Sequence, residues 1–572
     1  MNIIRNINFE NKIKLITLIS ASILVLIISN WPESFVFATP SNLTISERLF
    51  NTPFHLSDDV MIGHRAGYMI DKIGIPSHNI DDLSQPSTSY FAPYLYYFLN
   101  KFLPTNLSTI AYAFLGYLCT IFTFGIIIFN SKSIINAQLI ILSFVISSTS
   151  INFTLNGWDH LFQTFFLVLS IYFLLKDKHS KITLILIGLS LSSAFLWRPD
   201  SAIFALSTLF ILFFKQLSSK RLGKFLYTFI PFISIILPFL TKNYLSFGYL
   251  TPTTARLKIG ASPSLNFAFN YLFKNSILDF SVITIFIILI SIYIFYLRKK
   301  STKEINITIL SIILVCVIAA INSDAFAGGR MFWAPTFVLS FIICKIAPPI
   351  INNENEFLKF NIKIFKPFNK SDILKNFLIY ISIVSIFFST IKTLKTQFLD
   401  QAITSASISS SEAASQFVLA KWIEKNLNPK DGPIGFTHLG VSFHLSDYSI
   451  ADFLGKADEE IAQSEVKFGA PGHNKWDINT TLDKWNPQAI VSPVSIRFID
   501  QKYINNAKFK LENKKDESNF YESFYGNKRI LKNYSFCFTK NNEKKISDIW
   551  GLLIRNDILE NKDINSTCAR FN

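Results

Sequence analysis

Residues 107–129 read LSTIAYAFLGYLCTIFTFGIIIF, an apolar run without a single charge. At 1.5 Å per residue a helix of this length crosses the ~30 Å hydrocarbon core of a bilayer. Similar runs precede it at Ile13–Asn30 and follow it near 134–151, 157–175, 182–197, 201–214, 223–241, 276–297, 305–322, 331–347 and 376–396. Together they predict about eleven spans in a mainly α, multi-pass transmembrane helix bundle. Composition agrees, because charged residues make up 16% of the chain and mean hydropathy is +0.34. A soluble domain carries roughly 25% charged residues.

The formal charge is +16, which in a soluble protein would point to nucleic acid. Here Lys and Arg gather in short loops between apolar runs, as the positive-inside rule requires, so no nucleic-acid partner is expected. Arg5, Lys12 and Lys14 precede the first run, and Val36-Phe37-Ala38 would suit signal-peptide cleavage. That site lies well beyond the run, so an uncleaved anchor with a cytoplasmic N-terminus is the preferred reading. The remaining inner loops then hold Lys132, the group Lys176, Lys178 and Lys181, the group Lys215, Lys220, Arg221 and Lys224, the group Arg298, Lys299, Lys300 and Lys303, and the Lys-rich stretch Lys345–Lys375. An odd number of spans places the tail outside.

Two regions follow: residues 1–396, a membrane domain whose first outer loop covers about 31–105, and residues 397–572, a polar extracytoplasmic α/β domain expected to aid acceptor binding rather than chemistry. In the tail, Pro433–Phe443 and Ala489–Val494 read as strands and Ser411–Asn426 as an amphipathic helix. Cys119, Cys316 and Cys344 fall in apolar runs, whereas Cys537 and Cys568 lie in the tail and can pair in an oxidising compartment. The five cysteines show no metal-ligand spacing.

Five polar clusters flank the apolar runs: Ser57-Asp58-Asp59, Gly157-Trp158-Asp159-His160, Trp197-Arg198-Pro199-Asp200, Lys242–Lys258 and Asp324–Arg330. The topology puts all five on the outer face, and charge at a membrane boundary is costly and commonly functional. Asp58 and Asp59 open an amphipathic stretch, Val60–Ile73, where the plain explanation is helix capping. The chemical explanation is a general base that takes the acceptor hydroxyl proton in inverting glycosyl transfer. Arg198, Lys242, Arg256, Lys258 and Arg330 are the cations suited to a lipid phosphate, although headgroup binding or snorkelling also explains any one of them. His64, Arg65, Asp159, His160, Asp200, Asp324 and His473 are further candidate substrate contacts. A divalent metal on His64, His160 and the aspartates stays open, against the plainer reading of solvated or hydrogen-bonded histidines.

The order of these motifs resembles the polytopic GT-C glycosyltransferases, and most nearly the terminal β-1,2-arabinofuranosyltransferase-like group. Ser57-Asp58-Asp59 sits where that group has paired acids in its first outer loop. Gly157-Trp158-Asp159-His160 is similar to its Gly-x-Glu-Thr span start, with Asp159 in place of Glu. Arg198-Pro199-Asp200, the stretch Phe247–Lys258 with Thr251-Pro252 and Thr254, and Asp324 with Gly329-Arg330 resemble later motifs. In the tail, Asp452-Phe453-Leu454-Gly455 with Asp458–Ala462, and Pro471–Trp476 (PGHNKW), resemble two more. The resemblance covers most of the chain. It implies a polyprenyl-phosphate sugar donor, an envelope glycan acceptor, a site on the outer face of a bacterial inner membrane, inversion at the anomeric carbon, and Asp58 or Asp59 as base. It implies no certain cofactor. The richness in Phe, Ile, Asn and Lys points to an AT-rich genome rather than an actinobacterial one, which leaves the sugar and acceptor open. The alternative class is a transporter or flippase for a lipid-linked glycan. Such proteins usually carry internal repeats and a midplane site, and neither pattern is visible in this sequence.

Overall fold

The computed structural model describes residues 9–34, 58–147, 154–176, 178–258, 281–322, 329–348, 419–437, 439–467, 474–496, 520–538, 549–561 and 567–570, with the single positions 149 and 272. It is mainly helical, with one small sheet from the C-terminal region. By compactness the chain forms two units. The first comprises Met1–Phe37, Phe114–Leu237 and Ser264–Ala406; the second comprises Ala38–Ala113, Pro238–Pro263 and Ser407–Asn572. The second unit's segment Ala38–Ala113 overlaps the outer loop expected over about 31–105.

The helices are α1 (Phe9–Ser34), α2 (Asp58–Ile73), α3 (Ala92–Phe102), α4 (Thr105–Asn130), α5 (Ile134–Val145), α6 (Asp159–Leu174), α7 (Lys181–Trp197), α8 (Ala202–Ser218), α9 (Leu226–Phe247), α10 (Thr253–Lys258), α11 (Val282–Ile292), α12 (Lys303–Asn322) and α13 (Trp333–Ile346). The tail adds α14 (Glu459–Ala462), α15 (Ile478–Trp485), α16 (Phe520–Tyr525), α17 (Lys528–Asn533) and α18 (Asn556–Asn561), besides a helical stretch at 419–426. Among the described residues four stretches are long and apolar enough to cross a membrane: Leu107–Asn130, Pro199–Ser218, Leu222–Phe247 and Lys303–Ile321. The runs expected near 134–151, 157–175, 182–197 and 276–297 form shorter apolar helices, and α5, at 12 residues, falls short of the hydrocarbon thickness. The last expected span, 376–396, lies outside the described residues.

In the first unit α13 is buried from Trp333 through Cys344 without a gap. A helix apolar on every side belongs at the centre of a bundle. α6 packs on α7, with Phe162 stacked on Trp197 at a centroid distance of 3.9 Å. Gly188 lets the backbone of Thr228 approach α7 where any Cβ would collide with its carbonyl. Thr228 Oγ1 then donates to Leu184 O at 3.0 Å. Local caps fix helix starts: Ser133 accepts from Asn136 N, and Ser180 accepts from Thr183 N. The outer face of α9 exposes Leu226, Ile230 and Leu237, an apolar surface suited to acyl chains.

In the second unit six strands form one mixed sheet: β1 (Ile434–Phe436), β2 (Ile450–Asp452), β3 (Ala489–Ile496), β4 (Tyr534–Phe538), β5 (Ile549–Arg555) and β6 (Thr567–Arg570). Their order is β2-β1-β3-β5-β4-β6. β2, β1 and β3 run parallel, and the remaining pairings are antiparallel. Neighbouring residues feed different cores. Ala489, Val491, Leu552 and Ile554 join one cluster, and Ile490 and Leu553 join the other, as the two-residue repeat of a strand dictates. Both faces are therefore covered. Ile62 of α2 belongs to the first cluster.

The strand expected over Pro433–Phe443 is corrected by the structure. Among the described residues of this stretch Ile434–Phe436 is extended, and Leu439–His444 is a 3₁₀ helix that buries Leu439 and Phe443. A short apolar run carries no period that separates these outcomes. The strand at Ala489–Val494 is present and extends to Ile496, and residues 419–426 of the expected helix are helical.

Candidate active site

Asp58 and Asp59 are the first two residues of α2. Asp59 is about a quarter exposed, and its Oδ1 lies 3.4 Å from Lys456 Nζ, whose side chain is nearly buried. Lys456 sits in the turn after β2. That turn is folded around Asp452, a fully buried carboxylate that accepts from Leu454 N at 2.9 Å and from Ala457 N at 2.6 Å. Burial pushes Asp452 up to about 6, against the pull of these two amides. Gly455 adopts φ +72°, and a Cβ there would press on the backbone of Ile461 and Ala462.

Three of the candidate phosphate cations belong to this second unit. Arg256, in α10, stacks its guanidinium over the Tyr249 ring at 4.2 Å and pairs with Glu459 of α14, Nη1 to Oε1, at 2.6 Å. Lys258 closes α10 and is half-buried. Lys242 is exposed on α9, over the ring of Tyr94 at 5.0 Å. It borders a small cavity lined by Gln85, Tyr90, Tyr94 and Asn243 among others. Side-chain and backbone bonds hold the stretch in place. Tyr90 Oη donates to Leu250 O at 2.6 Å, Asn243 Nδ2 donates to Tyr249 O at 3.0 Å, and Thr253 N donates to Gln85 O at 3.0 Å. Lys475 donates to Ala462 O at 2.8 Å, and its ammonium is pushed down by burial and then by Arg256.

His64 and Arg65 are core residues of the same unit. His64 is fully buried, stacked on Tyr96 at 3.8 Å and edge-on to Tyr112, with neither ring nitrogen hydrogen-bonded. Burial holds it well below the usual imidazole range. Arg65 donates to the carbonyls of His78, Ser442, Leu445 and Tyr448, so four of its five N–H donors tie the chain together rather than face a ligand.

The first unit carries the other group. At the end of α7 the chain turns extended at Arg198, and Pro199-Asp200-Ser201 form one 3₁₀ turn. Arg198 Nε and Nη2 both donate to Asp200 Oδ2, at 3.1 and 3.0 Å. Gln163 of α6 donates to Asp200 Oδ1 at 2.7 Å and to Ser201 Oγ at 2.8 Å. Met331 Sδ lies 3.5 Å from both Arg198 Nη2 and His160 Nε2. Arg330 is buried with its guanidinium over the Trp158 ring at 4.3 Å. Asp159 opens α6 beside His160 and is half-buried. Thus Arg198, Asp200 and His160 converge through Gln163 and Met331, two residues that sequence reasoning passed over. Glu459, within the motif Asp458–Ala462, and Lys456 were given no role of their own, although Lys456 is the one cation in the stretch DFLGKADEE. Asp324 and His473 lie outside the described residues. Among the described residues no three His, Cys, Asp or Glu side chains gather as metal ligands.

No protein-family model matches the sequence, and no curated protein matches it. At the level of structure the chain is similar to the crystal structure of ArnT from Cupriavidus metallidurans in the apo state. The TM-score is 0.51 at 12% identity, covering 95% of this chain and 97% of that one. It is also similar to ArnT from the same organism bound to undecaprenyl phosphate, with TM-score 0.49, 11% identity and coverage of 86% and 94%. The first of these likenesses shows that the chain shares the fold of ArnT. The arabinofuranosyltransferase-like group is not among these neighbours.

Proposed function

We propose that the chain is an inverting glycosyltransferase that moves a sugar from a polyprenyl-phosphate donor to an envelope glycan at the outer face of a bacterial inner membrane. The observation that carries this reading is the likeness to a GT-C enzyme over nearly the whole of both chains. The motif order through Asp58-Asp59, Arg198-Pro199-Asp200 and Asp452–Ala462 supports it independently of the fold. In the reaction, Asp59 or Asp58 takes the proton of the acceptor hydroxyl. The oxygen attacks the anomeric carbon opposite the phosphate, and the bond from that carbon to the phosphate oxygen breaks. Negative charge then grows on the departing polyprenyl phosphate. Arg198, Lys242, Arg256, Lys258 and Arg330 are the cations assigned to it, because fixed positive charge aimed at a leaving phosphate acts most strongly in the transition state. Asp159, His160 and Asp200, with Asp324 and His473, are assigned to the sugar and acceptor. The tail is assigned to the outer face. A disulfide at Cys537 suits that assignment, since such bonds persist in oxidising compartments.

The test is release of polyprenyl phosphate by the purified protein from a panel of synthetic polyprenyl-phosphate pentoses and hexoses, followed by mass spectrometry. Turnover of one donor without a second compartment is expected. Movement of intact donor across proteoliposomes with no bond cleavage would replace the reading with transport.

A further inference from the structure

The stretch Asp452–Ala462 touches two candidate groups at once, and both contacts lie within the second unit. Lys456 Nζ is 3.4 Å from Asp59 Oδ1, and Glu459 Oε1 is 2.6 Å from Arg256 Nη1. The stretch is built to hold its shape. Asp452 accepts from the amides of Leu454 and Ala457. Asp458, also buried, accepts from Glu460 N at 3.0 Å and Ile461 N at 3.3 Å, and takes Lys484 Nζ and Trp485 Nε1 at 3.0 Å each. Lys484 in turn reaches Asp82 at 2.9 Å. A backbone pinned at both ends cannot relax around the two residues between them.

We propose that this segment is a two-pronged positioning element, in which Lys456 orients the carboxylate of Asp59 and Glu459 sets the guanidinium of Arg256. This rests on the function proposed above and extends it: the tail contributes to chemistry, not to acceptor binding alone. A lysine has one compact charge on a flexible stem, and its side chain here is nearly buried, so its ammonium is confined to the space beside Asp59. Glu459 and the Tyr249 ring together fix the plane of Arg256, so its remaining N–H groups point one way. Neither Lys456 nor Glu459 touches the reacting atoms in this scheme.

The experiment compares Lys456→Met, Lys456→Arg and Glu459→Gln with wild type, using the polyprenyl-phosphate sugar that wild type turns over. Misplacing a catalytic group by about 1 Å costs on the order of 10²-fold. Lys456→Met should therefore lower kcat by about that factor with donor KM unchanged, and Lys456→Arg should recover most of it. Asp59→Asn combined with Lys456→Met should be no slower than Asp59→Asn alone, because the two act as a unit. Glu459→Gln should raise donor KM and leave kcat nearly intact. Amide exchange over residues 58–62 should rise in Lys456→Met and not in Lys456→Arg. Full kcat in Lys456→Met, or additive losses in the double variant, would overturn the proposal while wild-type turnover keeps the function standing. If wild type releases no phosphate from any donor, the function fails. Unchanged exchange at 58–62 in Lys456→Met would then overturn the positioning contact as well.

Discussion

Arg256 Nη1 meets Glu459 Oε1 at 2.6 Å, so a candidate phosphate ligand is already bound to a carboxylate. Arg198 is in the same situation with Asp200. Two effects should therefore separate on mutation. Replacing a phosphate ligand by Ala should cost about 1.5–3 kcal/mol of donor affinity, the range for hydrogen bonds to charged groups. It should also leave Glu459 or Asp200 without its main partner and lower Tm. Arg256→Ala combined with Glu459→Gln should restore Tm and leave donor affinity impaired. Binding of a polyprenyl phosphate by titration calorimetry, run beside thermal unfolding, checks this across Arg198, Lys242, Arg256, Lys258 and Arg330. Five unchanged affinities would move the donor site elsewhere.

The helices were legible because their signal is local. The run near 182–197 is α7, Lys181–Trp197, and the run near 305–322 is α12, Lys303–Asn322. The amphipathic stretch after Asp59 is α2. Polar motifs marked helix boundaries correctly at Asp159 and Arg198, since a charge ends an apolar run wherever it stands. What escaped is long-range. Arg65 finds carbonyls at Ser442, Leu445 and Tyr448, and Asp59 finds Lys456, across more than 370 residues. The parallel pairing of Ile434 with both Ile450 and Ala489 depends on crossovers that no local pattern encodes. Lengths also misled, since α5 stops at Val145 within a run that reads as apolar to 151.

Cys537 is disulfide-bonded, its register partner on β6 is Cys568, and Cys119, Cys316 and Cys344 are unbridged. The pairing expected in the tail thus has its strands in place. Cys537→Ser should destabilise the tail by about 2–4 kcal/mol, the usual worth of a native disulfide. Thiol labelling of the unfolded protein should give two more reactive cysteines with reductant than without. Equal labelling would show a reduced tail and argue for the opposite side of the membrane.

Acid should loosen the second unit through His64. Its folded value is depressed by burial below the ordinary 6.5. The unfolded chain therefore takes the proton first as pH falls below about 6.5, and the stability present above that value is lost down to the lower folded value. Asp452 has the opposite sign. Its folded value is raised to about 6, so it favours the fold below its unfolded value of about 3.8 and loses that contribution as pH rises through 6. His64→Phe suits the ring cluster of Tyr96, Tyr112 and Phe443 and should flatten the fall in Tm between pH 7.5 and 5.5. Asp452→Asn should leave that fall in place and make it steeper. The reverse ranking of the two variants would show that His64 takes up its proton without cost in the folded state.

Asp58 and Asp59 open α2, where acids favour the first turn and Asp is a good cap. Capping and catalysis predict different results from one substitution. Asn caps as well as Asp does, so Asp→Asn leaves a capped helix intact. It cannot take a proton, and loss of general-base assistance slows a reaction by about 10²–10⁴. Asp59 is the preferred base, because its carboxylate is part-exposed and set against Lys456. Asp59→Asn should therefore fold with a Tm near wild type, bind donor normally and lose about two to four orders of magnitude in kcat. Asp58→Asn should lose less. The same two variants, measured for transfer rate and for thermal unfolding, decide the matter. A normal rate with lowered Tm in both would make the pair structural. A normal rate and normal Tm in both would send the search for the base to Asp159, Asp200 or Asp324. Asp200 would then come first, since its carboxylate is already oriented by Arg198 and Gln163.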